Sequence, residues 1–294
     1  MSIFKGAGVA IITPFKENGD VNYEKFAEII ENQIQNGTDC IIVCGTTGEA
    51  ACLTEEEHMA VIKFCVEQVK GRVPVMAGAG SNNTRTAVYL SQESEKVGAD
   101  AILSVTPYYN KTTQKGLIEH FTEIASSVNI PIVLYSVKSR TGVNIEPETV
   151  KYLVDNVPNI VGIKEASGSM SQVAKILSIC PDAELYSGDD DMTVPMMSLG
   201  ALGVISVVSN IAPRYVHDMC MKALNGDFAG AATMQLAEVD LVEALFCETN
   251  PIPVKEAMNI LGLEVGPLRK PLVPMSDKNR ERLIESLRGF GLLK

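Results

Sequence analysis

The stretch Asn159-Ile-Val-Gly-Ile-Lys-Glu-Ala-Ser167 decides how the chain is read. Its β-branched core reads as a central strand of a parallel sheet, buried on both faces. Lys164 stands inside it. An ammonium placed there loses its hydration, which disfavours the charged form. A neutral amine is a nucleophile, and with a keto group it forms a Schiff base. The opposing reading is a lysine at a strand end whose head reaches water or pairs with an acid such as Glu165.

Outward from this segment, short apolar runs alternate with amphipathic stretches. The runs are Val9–Ile12, Cys40–Cys44, Val73–Ala77, Ala101–Val105, Ile130–Leu134, Ile160–Ile163, Glu184–Tyr186 and Gly203–Val207. Helical patterns such as Tyr23–Gln35, Glu55–Val69, Thr84–Val97, Gln114–Ser127 and Glu146–Val154 lie between them. The strand-to-strand repeat is roughly 28 residues, the length of a βα unit. Eight units make a closed (β/α)8 TIM barrel. A doubly wound open sheet competes, but the first turn carries no G-x-G-x-x-G fingerprint. Thr54-Glu-Glu-Glu57 reads as a capping box and Pro147 as an early helical proline. After Asn225-Gly-Asp227 the strand signal stops. Phe228–Leu245, Pro253–Leu261 and Asp277–Phe290 read as three helices. The expected organisation is an α/β barrel over residues 1–225 and a C-terminal helical appendage over 226–294.

Bulk properties narrow the function. A chain of 294 residues with 46% hydrophobic content builds a large core. A net charge of −11 and a pI near 4.9 argue against nucleic acid and anionic membrane surfaces. The seven cysteines form no CxxC and no Cys/His ligand spacing, and read as small buried hydrophobes in a reducing cytosol. Gly6–Phe15 is faintly like a signal segment, but it is short and runs into the turn Lys16–Asp20, so it reads as the first strand. No apolar run approaches a membrane span. A cytoplasmic protein is expected.

In a barrel, chemistry gathers at the C-terminal ends of the strands. Gly45-Thr-Thr-Gly-Glu49 follows the second strand, where Thr46 and Thr47 offer hydroxyls or form an ordinary turn. Thr106-Pro-Tyr-Tyr-Asn110 follows the fourth, with two tyrosines that suit packing as well as chemistry. Tyr135 and Ser139-Arg-Thr-Gly142 follow the fifth. A phenol beside a neutral lysine can move protons during imine formation. Arg140 suits either a bidentate carboxylate clamp or a structural ion pair. Ser187-Gly-Asp-Asp-Asp191 follows the seventh; its carboxylates read as helix caps and dipole partners rather than metal ligands. His58, His120 and His217 fall on expected helices away from strand ends, which leaves no Ser-His-Asp or metal-histidine site. A lysine, a tyrosine, threonine hydroxyls and an arginine suit a Schiff-base aldolase or dehydratase acting on a keto acid without an external cofactor or metal.

These segments, with Gly162–Ser167, Gly203-Val-Ile-Ser206 and Glu248-Thr-Asn-Pro-Ile-Pro-Val-Lys255, together resemble the dihydrodipicolinate synthase family. That family belongs to the pyruvate-dependent class I aldolases, which include N-acetylneuraminate lyase. The likeness spans nearly the whole chain with motifs in matching order, and the double threonine and Arg140 favour the synthase branch. The resemblance implies condensation of pyruvate with L-aspartate 4-semialdehyde to 4-hydroxy-tetrahydrodipicolinate, for lysine and diaminopimelate synthesis. It implies that Lys164 forms the imine and that Tyr135 moves protons, linked through Thr46 to a Tyr109 from the neighbouring subunit of a homotetramer. It further implies that Thr47 and the Ile205 backbone hold the pyruvate carboxylate, with Gly188 beside the substrate and Arg140 attracting the semialdehyde carboxylate.

Two departures from the family pattern stand out. The loop Tyr135-Ser-Val-Lys-Ser-Arg140 has Ser136 and Lys138 where asparagine and proline are usual. Losing a proline loosens the turn, and Lys138 adds a cation beside Arg140, so a shift in affinity or selectivity is expected. Lysine-inhibited members bind lysine at a tetramer interface. His58, Asn82 and Tyr108 match that set, but Thr86 replaces the usual glutamate and Glu55 stands where a histidine is common, so weak or absent lysine inhibition is expected.

Overall fold

In a computed structural model describing residues 2–294, eight parallel strands close into a barrel in the order β1 to β8. The strands are β1 Gly6–Ala10, β2 Cys40–Val43, β3 Val75–Gly78, β4 Ala101–Val105, β5 Ile132–Ser136, β6 Ile160–Glu165, β7 Glu184–Ser187 and β8 Gly203–Ser206. All eight expected strands are present, with ends shifted by up to three residues. Helices α1 Tyr23–Gln35, α2 Glu55–Val69, α3 Thr84–Lys96, α4 Gln114–Ser126, α5 Lys138–Thr141, α6 Pro147–Asn156, α7 Met170–Ile179, α8 Thr193–Ser198 and α9 Pro213–Leu224 complete the barrel region. The capping box at Thr54 and Glu57 forms in both directions, and Pro147 opens α6. The short helix α5 after Tyr135 was not foreseen. No helix of the described residues is long and apolar enough to cross a membrane.

Strand alternation divides the apolar residues between two layers. Ile41, Val43, Ile132, Leu134, Ile160 and Ile163 point outward and pack under the helices. Cys40, Ile42, Val133, Tyr135, Tyr186 and Ile205 point inward and fill the barrel. Each buried Ile or Val contributes about 1.5–3 kcal/mol, so both layers are strongly held.

One irregularity in β6 matters for chemistry. The register runs Ile132↔Ile160 and then Val133↔Gly162, so Val161 is an extra residue in the strand. Strict alternation from the outward Ile160 would send residue 164 outward as well. The bulge reverses the parity and turns Lys164 into the barrel, opposite Tyr135 on one side and Tyr186 on the other. Gly162 is required beside it, because a Cβ there would collide with the Glu184 carbonyl.

The C-terminal region corrects the expectation of three helices. Residues 226 onward form four: α10 Phe228–Ala237, α11 Val239–Leu245, α12 Ile252–Ile260 and α13 Asp277–Gly289. The stretch expected as one helix breaks at Glu238 (φ −93°, ψ −3°). On either side of the break, α10 packs on α9 and α11 packs on α13. The division expected at 225/226 falls between α9 and α10, which pack on each other.

Candidate active site

Lys164 is 6% exposed, with its Nζ 4.3 Å from the centre of the Tyr135 ring. No ion pair holds it among the described residues. Pairing with Glu165 does not occur, because that residue lies on the opposite face of β6. The Glu165 carboxylate accepts from the Ser167 backbone N–H at 2.9 Å and from Gln172 Nε2 at 3.0 Å. Burial pushes its pKa upward. Gly188, just past β7, leaves space for the lysine. A Cβ there would stand 2.6 Å from Ala166 Cβ and 3.0 Å from Lys164 Cε.

The amine opens into a cavity of about 160 Å³ whose lining includes Thr46, Thr47, Tyr135, Arg140, Gly188 and Asn250. At about 30 Å³ per water, that is room for a molecule of a few heavy atoms. Thr46, Tyr135, Arg140 and Asn250 also border an outer cavity of about 610 Å³. A small inner chamber bearing the amine thus meets a larger one at the mouth.

Segments distant in sequence hold the loop that carries both threonines. Thr13 Oγ1 donates to the Gly48 carbonyl at 2.7 Å, and the Glu49 N–H donates to the Thr46 carbonyl at 3.1 Å. Lys255, from α12, pairs with Glu49 at 2.7 Å in full burial. Arg140 lies on α5, exposed, and its Nη2 donates to the Asn250 carbonyl at 3.0 Å. Ser136 takes a structural part: its hydroxyl donates to Asn144 Oδ1 and accepts the Ile145 N–H, both at 3.2 Å.

Comparison with known proteins bears on this arrangement. A profile of the Dihydrodipicolinate synthetase family matches residues 3–289. The chain belongs to the dihydrodipicolinate synthetase family. It is 58% identical to a 4-hydroxy-tetrahydrodipicolinate synthase of Lachnoclostridium phytofermentans over 294 residues, covering 100% of both chains. It superposes with a TM-score of 0.96 on the dihydrodipicolinate synthase of Aquifex aeolicus, at 47% identity over 98% of this chain and 99% of that one. A dihydrodipicolinate synthase from Acinetobacter baumannii, solved in complex with pyruvate, aligns with a TM-score of 0.96 at 41% identity, covering 98% and 99%.

In this family member, six of the eight residues singled out from sequence line the inner cavity: Lys164, Tyr135, Thr46, Thr47, Arg140 and Gly188. Two do not. Ile205 is 1% exposed on β8, in the inward cluster with Tyr135, but outside the cavity lining. Tyr109 is 93% exposed, has a left-handed backbone (φ 67°) and lies outside the cavity lining of its own chain. Tyr108, beside it, borders the outer cavity with His58, Thr86 and Glu55. His58 does reach a strand end, its Nε2 lying 2.7 Å from the Gly78 carbonyl.

The acidic run also differs from expectation. The 3₁₀ turn at Asp190–Met192 has no side-chain cap. Asp190 instead accepts the backbone N–H of Val207 at 2.9 Å and of Val208 at 3.4 Å, tying the β7 exit to the β8 exit. Asp189, read from sequence only as one carboxylate of that capping run, lines the inner cavity. Burial, reinforced by Asp191, pushes its carboxyl up to about 6 against the pull of Lys164. Asn250, quoted from sequence only within the family-like segment Glu248–Lys255 and given no role, lines the cavity as well; its signal was an amide between Thr249 and Pro251.

Proposed function

We propose that the chain is a 4-hydroxy-tetrahydrodipicolinate synthase, joining pyruvate to L-aspartate 4-semialdehyde for lysine and diaminopimelate synthesis. The observation that carries this reading is the Lys164 amine, buried without an ion-pair partner among the described residues and lying over the Tyr135 ring in a chamber lined by hydroxyls. The amine adds to the keto carbon of pyruvate, and Tyr135 protonates the departing hydroxyl as the imine forms. Loss of a methyl proton yields an enamine, whose carbon attacks the aldehyde of the second substrate. The amino group of that substrate then closes on the imine carbon and releases Lys164. Thr47 and the Ile205 backbone hold the pyruvate carboxylate, Arg140 receives the second carboxylate, and Thr46 relays protons between Tyr135 and a partner's tyrosine. No cofactor enters the sequence.

The subunit arrangement belongs to the same reading. Tyr109 stands free at 93% exposure, which suits insertion into a neighbour's site within a homotetramer. Free cysteines, five of them buried, suit the cytoplasm. Thr86 in place of a carboxylate supports weak lysine inhibition, and Glu55 on the same cavity wall is the group that would oppose it. Inhibition needing millimolar lysine is expected, and a dose–response curve checks it.

The deciding experiment is borohydride reduction in the presence of pyruvate, followed by peptide mass analysis. A stable adduct on the Lys164 peptide, absent in Lys164→Ala, is expected. Turnover with L-aspartate 4-semialdehyde and none with sialic acid or keto-deoxy sugar acids then separates this reaction from other pyruvate aldolases. An adduct elsewhere, or none, ends the reading.

A further inference from the structure

We propose that Asn250 is a positioning residue that sets the polarity of the Thr47 hydroxyl and anchors Arg140, and so prepares both groups for carboxylates. The proposal rests on the Schiff-base reading above. Asn250 is 5% exposed and lines both the inner and the outer cavity. Its Nδ2 donates to Thr47 Oγ1 at 2.9 Å, and its backbone carbonyl accepts from Arg140 Nη2 at 3.0 Å. Its Oδ1 is buried and has no partner among the described residues, so the side chain makes one hydrogen bond, and that bond goes to Thr47.

The direction of that bond is the point. A threonine hydroxyl carries one proton and two lone pairs. Thr47 is 2% exposed and cannot fall back on solvent to choose its orientation. By accepting from an amide N–H, the hydroxyl keeps its only proton free to donate, which is what a carboxylate requires. A neighbour that accepted instead would draw the proton inward and turn lone pairs toward the substrate anion. Asparagine can donate here and aspartate cannot, although the two have the same shape. Through its carbonyl, the same residue occupies one of the five N–H donors of Arg140 and leaves the others for a second carboxylate.

A purely structural role predicts that Asn250→Asp, which preserves shape, is milder than Asn250→Ala. The polarity role predicts the reverse. Steady-state kinetics are measured for the wild type, N250A, N250D, T47V and T47V/N250A, with thermal unfolding as the folding control. A hydrogen bond to a charged group is worth about 1.5–3 kcal/mol, so N250A should raise the pyruvate KM by about 10-fold and N250D by about 100-fold. The kcat at saturating pyruvate should stay within threefold. In the Thr47→Val background, N250A should add less than about a further twofold, because no hydroxyl remains to orient. Should N250D fail to fold, the N250A/T47V cycle decides alone. A pyruvate KM within threefold of wild type in N250A, or an equal loss with and without the Thr47 hydroxyl, overturns the proposal. Wild-type protein that fails to trap pyruvate on Lys164 overturns instead the reading beneath it.

Discussion

The barrel mouth and the seam beneath the C-terminal helices each bury a lysine, and the two are built in opposite ways. Lys164 is 6% exposed, lies over the Tyr135 ring and has no ion-pair partner among the described residues. Lys255 is 1% exposed, lies 4.4 Å from the centre of the Phe15 ring, and spends every proton. It donates to Glu49 at 2.7 Å, to the Pro267 carbonyl at 2.7 Å and to the Thr13 carbonyl at 3.1 Å. Burial draws the Lys255 pKa down, against the pull of Glu49. A buried amine is therefore not catalytic by burial alone. The one with three acceptors is a rivet, and the one facing an open chamber is the amine proposed above as the nucleophile.

Exchanging either amine for methionine breaks the comparison most sharply. Lys164→Met should lower turnover by about four orders of magnitude or more. Its unfolding free energy should stay level or rise, because a desolvated amine without a partner costs stability. Lys255→Met should do the reverse. It leaves the Glu49 carboxylate buried and uncompensated, a loss of about 3–5 kcal/mol in denaturant unfolding. If Lys164→Met unfolds the protein and Lys255→Met does not, the two roles have been assigned the wrong way round.

A third buried ionisable group sharpens the seam side. Glu238, at the break between α10 and α11, is fully buried, with Oε2 unpartnered among the described residues and Oε1 accepting from Gln235 at 2.7 Å. Burial first, then Asp190 and Asp191, push its carboxyl from 4.5 up to about 9. The folded state thus holds a proton that the unfolded chain releases, and stability declines as pH rises from 4.5 to 9. Glu238→Gln removes that slope and should stabilise the protein by up to about 3 kcal/mol at pH 7. Thermal midpoints across pH 5–9, flatter in the variant, check it.

The smallest effect lies at the mouth. Lys138 holds the first position of α5, where proline is well tolerated. An exposed charge beside Arg140 is worth up to about 1 kcal/mol, so Lys138→Pro should change the KM for L-aspartate 4-semialdehyde by up to about fivefold. Identical kinetics would show that this cation plays no part in capturing the second substrate.

Much of this was legible in one dimension. A continuous apolar run and a period-3.6 pattern both report burial, so the strand expected at Cys40–Cys44, observed at Cys40–Val43, and the helix Tyr23–Gln35 could be placed from residue type alone. The candidate site was legible where a residue broke its own pattern, as Lys164 does inside an apolar run. It was illegible where residues become neighbours only through folding. Asn250 looked like part of a proline-rich stretch and Lys255 like one residue of the helix expected over Pro253–Leu261, yet they reach loops some two hundred residues away in sequence. Asp190 looked like a helix cap and instead bonds the β8 exit.

The sequence by itself determined the barrel and the presence of a misplaced lysine, because hydrophobic periodicity and the cost of burying charge are local properties. Which way that lysine points was settled only in three dimensions. A single bulge at Val161 reverses the parity of β6, and a bulge is a property of two paired strands rather than of either one.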